Sequence, residues 1–216
     1  MGRRLHPKKL LVEGEEDKRV IPQLIEAHGV EWGENRQEWI VLIEQLGGIE
    51  PLLESAVIET ELKVRGLEVL GIVVDANDSA AERWKRIRNR CAKAFPSLPE
   101  TLPNEGLIDT NVDGLKLGVW LMPDNRSRGM LETFLACLLG DETQPLWQYA
   151  NETVVNAKDR GAPFTDAHED KARIHTWLAW QDPPGRQLHD AVKFQMLKPS
   201  PLSAPFVAWF RSLYGV

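Results

Sequence analysis

The stretch GIVVDANDSAAERW, residues 71–84, decides how this chain is read. Gly71-Ile72-Val73-Val74 shows no polar alternation, which is the pattern of a strand buried on both faces. The run stops at Asp75, Asn77 and Asp78. Ser79, with Glu82 three residues later, carries the capping-box signature of a helix start. A buried strand that passes through an acidic turn directly into a helix is the local pattern of a parallel α/β sheet.

The same alternation extends in both directions. Lys9 to Glu13 reads as a short strand, followed by Gly14 and the acidic Glu15-Glu16-Asp17. The next helix has Val20, Ile21, Leu24 and Ile25 on one face and stops at Gly29. Pro22 is expected in its first turn, where a missing N–H costs little. Trp39 to Ile43 reads as a second strand, Ile49 to about Val64 as a helix, and Leu67 to Val74 as a third strand. A helix follows from Ser79 to about Phe95, then a fourth strand from Leu115 to Met122 and a helix from Gly129 to Leu139. The expected fold is α/β, an open, mainly parallel, Rossmann-like sheet of about four strands flanked by helices. Beyond residue 143 the strands cease. Helices are expected at 143–158, 166–180 and 204–213, divided by Pro183-Pro184-Gly185 and Pro199-Ser200-Pro201. Residues 1–142 thus read as an α/β domain. Residues 143–216 read as a helical C-terminal extension packed on it through Trp177, Trp180 and Trp209.

Composition narrows the function classes. A hydrophobic fraction of 43% supports a real core. The 26 Lys and Arg against 32 Asp and Glu give a net charge of −6. That balance disfavours a large nonspecific nucleic-acid footprint but leaves room for a local basic patch. Cys91 and Cys137 are far apart, so neither a disulfide framework nor a Cys-based zinc site is expected, and a reducing, cytoplasmic location suits them. No apolar signal core follows Gly2-Arg3-Arg4, and no apolar run reaches the ~20 residues of a membrane span.

Ligands of open parallel sheets bind outside the carboxyl ends of the strands. Glu13 ends the first predicted strand, Asp75 and Asp124 follow the third and fourth, and Asn77 and Asp78 share the turn after Asp75. Clustered carboxylates repel one another unless a cation neutralises them. An all-oxygen set suits Mg²⁺ or Mn²⁺. The alternative is plain: strands end where solvent begins, and an acid there often only caps the next helix. Glu132 has two readings as well, a member of the same crevice or a partner of its own helix dipole. Arg83, Arg86, Arg90 and Lys93 form a stripe at spacings of 3, 4 and 3 beside the apolar face Trp84, Ile87, Cys91 and Phe95. They either contact a phosphodiester backbone or form a solvated basic face.

LLVEGEEDKRVI followed by LGIVVDAND resembles the Toprim domain, whose pattern is Glu-Gly after the first strand and Asp-x-Asp after a later one. The fuller run, through GLEVLGIVVDAND, LGVWLMPDNRSRGMLETFL, TWLAWQDPPG and FVAWFRSLY, resembles an uncharacterised bacterial Toprim-like family over nearly the whole chain. The resemblance implies that Glu13 is a general acid/base or metal ligand and that Asp75 is the first metal-binding aspartate. Asn77 stands where the second aspartate belongs, which removes a negative charge. Asp78 is adjacent, though neighbouring residues on an extended chain point oppositely.

The implied chemistry is phosphoryl transfer or phosphodiester hydrolysis with Mg²⁺ or Mn²⁺ as cofactor and nucleic acid as the expected substrate. A topoisomerase needs a tyrosine nucleophile in an added domain, and only Tyr149 and Tyr214 are present. A primase needs a polymerising subdomain that is not apparent. A small nuclease remains. The other expectations are a catalytically degenerate module that binds nucleic acid, nucleotide or protein, and a site that serves a partner subunit in a defence-type complex. His168 and His175 have no HExxH context, and no GxSxG elbow is present.

Overall fold

The computed structural model describes residues 6–54 and 56–216. Within them the chain runs β1 (Lys8–Val12), α1 (Glu15–Ala27), β2 (Leu42–Gln45), α2 (Ile49–Glu54), α3 (Val57–Glu61), β3 (Val69–Asp75) and α4 (Ala80–Cys91). It continues through β4 (Leu107–Thr110), β5 (Lys116–Met122), α5 (Leu131–Ala136), α6 (Gln144–Asp159), α7 (Glu169–Ala179), α8 (Leu188–Lys193) and α9 (Ala204–Tyr214). The strands form one sheet in the order β2-β1-β3-β5-β4. All neighbours are parallel except β4, which pairs antiparallel with β5. The architecture is α/β, with a mostly parallel sheet covered on both faces.

The pleat divides the side chains between two cores. Leu10, Val12, Val73, Trp120 and Met122 pack with α1, α5 and the helices of the C-terminal part. Leu11, Leu70, Ile72, Val74, Val119 and Leu121 pack with Ile58, Trp84, Ile87 and Cys91 on the other face. Burial on both faces explains why β3 and β5 read as unbroken apolar runs.

Two glycines inside strands have a packing role. Gly71 of β3 and Gly118 of β5 are register partners. A Cβ on Gly71 would run into the Tyr214 hydroxyl, and one on Gly118 into the Leu213 side chain. Both strands are therefore bare where α9 lies across them. The Tyr214 hydroxyl donates to the Lys9 carbonyl (2.8 Å), and the Lys8 ammonium donates to the Tyr214 carbonyl (2.6 Å). The last helix is thereby fastened to the first strand.

Several expected elements shift, each for a local reason. The second strand begins at Leu42 because the Trp39 and Ile40 amides donate back to the Asn35 and Trp32 carbonyls. The helix expected at 49–64 is two short helices, and Ser55 between them lies outside the described residues. Pro22 is well inside α1 rather than in its first turn, because Glu15, Glu16 and Asp17 already form that turn. The fifth strand, β4, has four residues of which only Leu107 is buried, so it carries little periodicity. Its hairpin is organised by Asn111, whose side chain accepts from the Asp113 and Leu115 amides. Gly129 is bridged to Asn77 by a reciprocal pair of 2.8 Å hydrogen bonds, which delays α5 to Leu131. Trp177 and Trp209 are buried, whereas Trp180 is exposed and stacks on Tyr149.

Candidate active site

In the strand order, the connection from β1 leads outward to β2, while that from β3 leads the other way toward β5. The carboxyl ends of β1 and β3 are therefore the switch point, where an open α/β sheet leaves a crevice. Val12 lies opposite Val73, so Glu13 leaves the sheet beside the end of β3 and Asp75. A cleft of about 300 Å³ occupies this place. Its walls include Glu13, Glu16, Asp17, Asp75, Glu132 and Lys171.

Each acid is held by a different element. Glu13 directly follows β1, and its carbonyl accepts from the Gly48 amide (2.9 Å), which draws in the chain after β2. Its Oε2 is buried without a hydrogen-bond partner. Burial raises its pKa, against the opposing pull of Arg83, a backbone hydrogen bond from Asp75, and Lys171. Asp17, in the first turn of α1, accepts from the Gly14 amide through Oδ2 (2.9 Å), while its Oδ1 is buried and unpartnered. Burial pushes its carboxyl from 3.8 to about 7 despite that hydrogen bond, with Glu13 and Glu132 adding to the rise. Asp75 closes β3 and accepts from the Leu131 amide at the start of α5 (2.9 Å). Burial, then the charges of Asp17, Glu13 and Glu132, raise its pKa well above the ordinary value. Glu132 is buried in the first turn of α5 and pairs with Lys171 of α7 at 3.1 Å.

One further cation comes from the opposite layer. Arg83 of α4 is nearly buried; burial lowers its pKa, while Glu13 and Asp75 hold it up. The cleft thus gathers three carboxylates, Glu13, Asp17 and Asp75, that burial and neighbouring charge push toward protonation. A bound cation would relieve the same strain without protons.

The donor chemistry fits Mg²⁺ or Mn²⁺ in one respect and limits it in another. Glu13 Oε2 and Asp17 Oδ1 are unpartnered oxygens in a buried setting, which a hard cation satisfies. Yet among the described residues no three His, Cys, Asp or Glu side chains are arranged to hold one ion together. A closed protein cage is not preformed. Mg²⁺ commonly uses one or two carboxylates and keeps waters or phosphate oxygens for the rest.

Of the residues singled out from sequence, Glu13, Asp75 and Glu132 line this cleft, and Arg83 is near enough for the charges of Glu13 and Asp75 to act on it. Asn77 and Asp78 line a neighbouring groove with Arg128, Thr133, Asp170 and Arg173. The Gly129 bridge and a left-handed Asn77 (φ 51°) accompany that turn away from the acid cleft. Asp124 organises its own loop, accepting from the Arg126 amide (3.0 Å), the Ser127 amide (2.7 Å) and the Ser127 hydroxyl (2.8 Å). Burial pushes its carboxyl up, but those hydrogen bonds prevail and hold it below the ordinary value. Arg86 pairs with Glu50 (2.9 Å), and Arg90 pairs with Glu59 (3.2 Å) and donates to the Leu53 carbonyl (2.6 Å). Lys93 is exposed beyond the end of α4. Glu16, Asp17 and Lys171 of the cleft escaped the sequence reading. Asp17 had a signal, since it lies four residues after Glu13, but it read as an ordinary first-turn acid. Lys171 had none, because only the fold brings α7 to the sheet edge.

The chain belongs to the family described as protein of unknown function DUF3226, whose model matches residues 7–215. That span includes both the sheet and the C-terminal helices. No curated protein and no solved structure matches the chain.

Proposed function

We propose that this DUF3226 chain is a Mg²⁺- or Mn²⁺-dependent phosphodiester hydrolase acting on nucleic acid, with its reaction centre at the β1–β3 cleft. The observation that carries the reading is the set of buried, unpartnered oxygens, Glu13 Oε2, Glu16 Oε2 and Asp17 Oδ1, at the switch point of the sheet. Leaving buried acceptors unmade is costly, and an ordered water, an ion or a substrate oxygen removes that cost. The Toprim resemblance of EGEED and VVDAND points to the same chemistry.

One or two of Glu13, Asp17 and Asp75 are the candidate ligands, with Glu132 beside them and waters or phosphate oxygens left to complete the shell. A bound divalent ion supplies charge neutralisation at the phosphate and a lower pKa for an attacking water. Glu13 is the candidate proton acceptor, since burial favours its protonated form. Asp75 is fixed by the Leu131 amide and orients the cluster. Arg83 binds a phosphate oxygen from the α4 side. Arg86 and Arg90, tied to Glu50 and Glu59, are left to position α4 on the outer helices.

The test is incubation of purified protein with single- and double-stranded DNA and RNA, with Mg²⁺, with Mn²⁺ and with EDTA. Metal-dependent cleavage that disappears in Asp75→Asn is expected. A second reading is a degenerate module that binds nucleotide, nucleic acid or a partner subunit without turnover. It is favoured by Asn77 lying in the neighbouring groove and by the missing three-ligand set. Oligonucleotide binding with no cleavage under any metal condition selects this second reading.

A further inference from the structure

Lys171 stands out because the sheet half of the molecule does not supply it. It projects from α7, and its ammonium reaches Glu132 at 3.1 Å, on the wall of the acid cleft. Its side chain is 47% exposed while that of Glu132 is 4% exposed. The pair therefore joins a fixed, buried anion to a cation whose stem is still in solvent. Such an ammonium is free to turn, since Lys is a point charge on a flexible chain.

The docking of α7 does not need this ion pair. Thr133 of α5 donates to the Asp170 carboxylate at 2.6 Å, one residue before Lys171. Ile174, Trp177 and Leu178 of α7 are buried in the common core. Arg83 approaches the same acids from α4, across the sheet. Lys171 is thus the cation on the cleft wall itself, with Arg83 acting on Glu13 and Asp75 from the other helical layer.

We propose that Lys171 is an exchangeable countercation of the cleft: it neutralises Glu132 while no divalent ion is bound, and turns to the substrate phosphate when one is. This rests on the metal-dependent reading given above. With an ion at the cluster, the acids would no longer need Lys171 for neutralisation, and the ammonium would be repelled from Glu132. Lys171, with its side chain half exposed, would then be available to a phosphate oxygen on the solvent side. The C-terminal helices would in this way complete a site whose carboxylates lie in the sheet half.

The experiment is Mn²⁺ titration by calorimetry on wild type, Lys171→Ala and Lys171→Arg, followed by inorganic phosphate titration at saturating Mn²⁺. Removing a positive charge beside a dication is expected to tighten Mn²⁺ binding on the order of tenfold. The same Lys171→Ala protein should lose phosphate affinity by a similar factor, and Lys171→Arg should restore it. A lysine that only braces α7 gives the opposite sign, with weaker Mn²⁺ binding and a lowered Tm. Unchanged or weaker Mn²⁺ binding by Lys171→Ala, with wild type binding normally, overturns the inference and leaves the metal reading intact. Absence of Mn²⁺ binding by wild type overturns both.

Discussion

Replacing Asp17 by Asn should remove much of the pH dependence that the cleft imposes on the fold. Burial, with help from Glu13 and Glu132, holds the Asp17 carboxyl at about 7 in the folded protein, against an ordinary value of 3.8. Between those values the native state keeps a proton that the unfolded chain has released. Stability therefore falls as pH rises through this window and levels off above it. One pKa unit corresponds to about 1.4 kcal/mol, so the full window is worth about 4 kcal/mol. Glu13 and Asp75 are raised in the same direction and add to the slope. The assay is urea unfolding in EDTA, for wild type and Asp17→Asn, at several values between about pH 5 and pH 8. The new amide has its own cost, about 1–3 kcal/mol if its N–H is unpaired, but this is independent of pH and cancels in the slope. Wild type should lose about 3 kcal/mol more than the variant across the range. Excess Mg²⁺ should flatten the wild-type curve. A wild-type stability that stays level or rises with pH, or a variant with the wild-type slope, refutes the reasoning.

Two predictions concern the seating of α9. Gly118→Ala places a methyl against Leu213, so it should destabilise by about 1–3 kcal/mol even though alanine suits a strand better than glycine; a lowered Tm checks it. Tyr214→Phe deletes the hydroxyl that donates to the Lys9 carbonyl and should cost about 1–2 kcal/mol in urea unfolding, with cleft metal affinity unchanged.

The fold was legible where burial wrote a pattern. β3 and β5 are covered on both faces, so Val73-Val74 and Val119 to Met122 announce themselves as apolar runs. The helix after Ser79 was equally clear, and the Ser79 hydroxyl does accept from the Glu82 amide. The capping box is nonetheless only half made, since the Ser79 amide donates to the Ala76 carbonyl instead. β4 and the start of β2 were hidden because their limits depend on pairing partners and loop hydrogen bonds rather than on periodicity. The candidate site divides in the same way. Glu13 and Asp75 could be placed together because parallel strands align their carboxyl ends. Asn77 could not be placed, since its groove depends on the Gly129 bridge, a contact made across more than fifty residues. Asp124 looked like a third strand-end acid until its loop turned back on it. Lys171 reaches the cleft only through the packing of α7 on α5.

The most direct measurement is calorimetric titration of Mg²⁺ and Mn²⁺ into wild type and Asp75→Asn, with a short oligonucleotide present to supply phosphate oxygens. Asparagine can still accept from the Leu131 amide, so the variant keeps the local hydrogen bond while losing the charge. Saturable binding by wild type and at least tenfold weaker binding by the variant are expected, with both proteins folded. Equal binding by the two, or none by wild type, contradicts the metal reading.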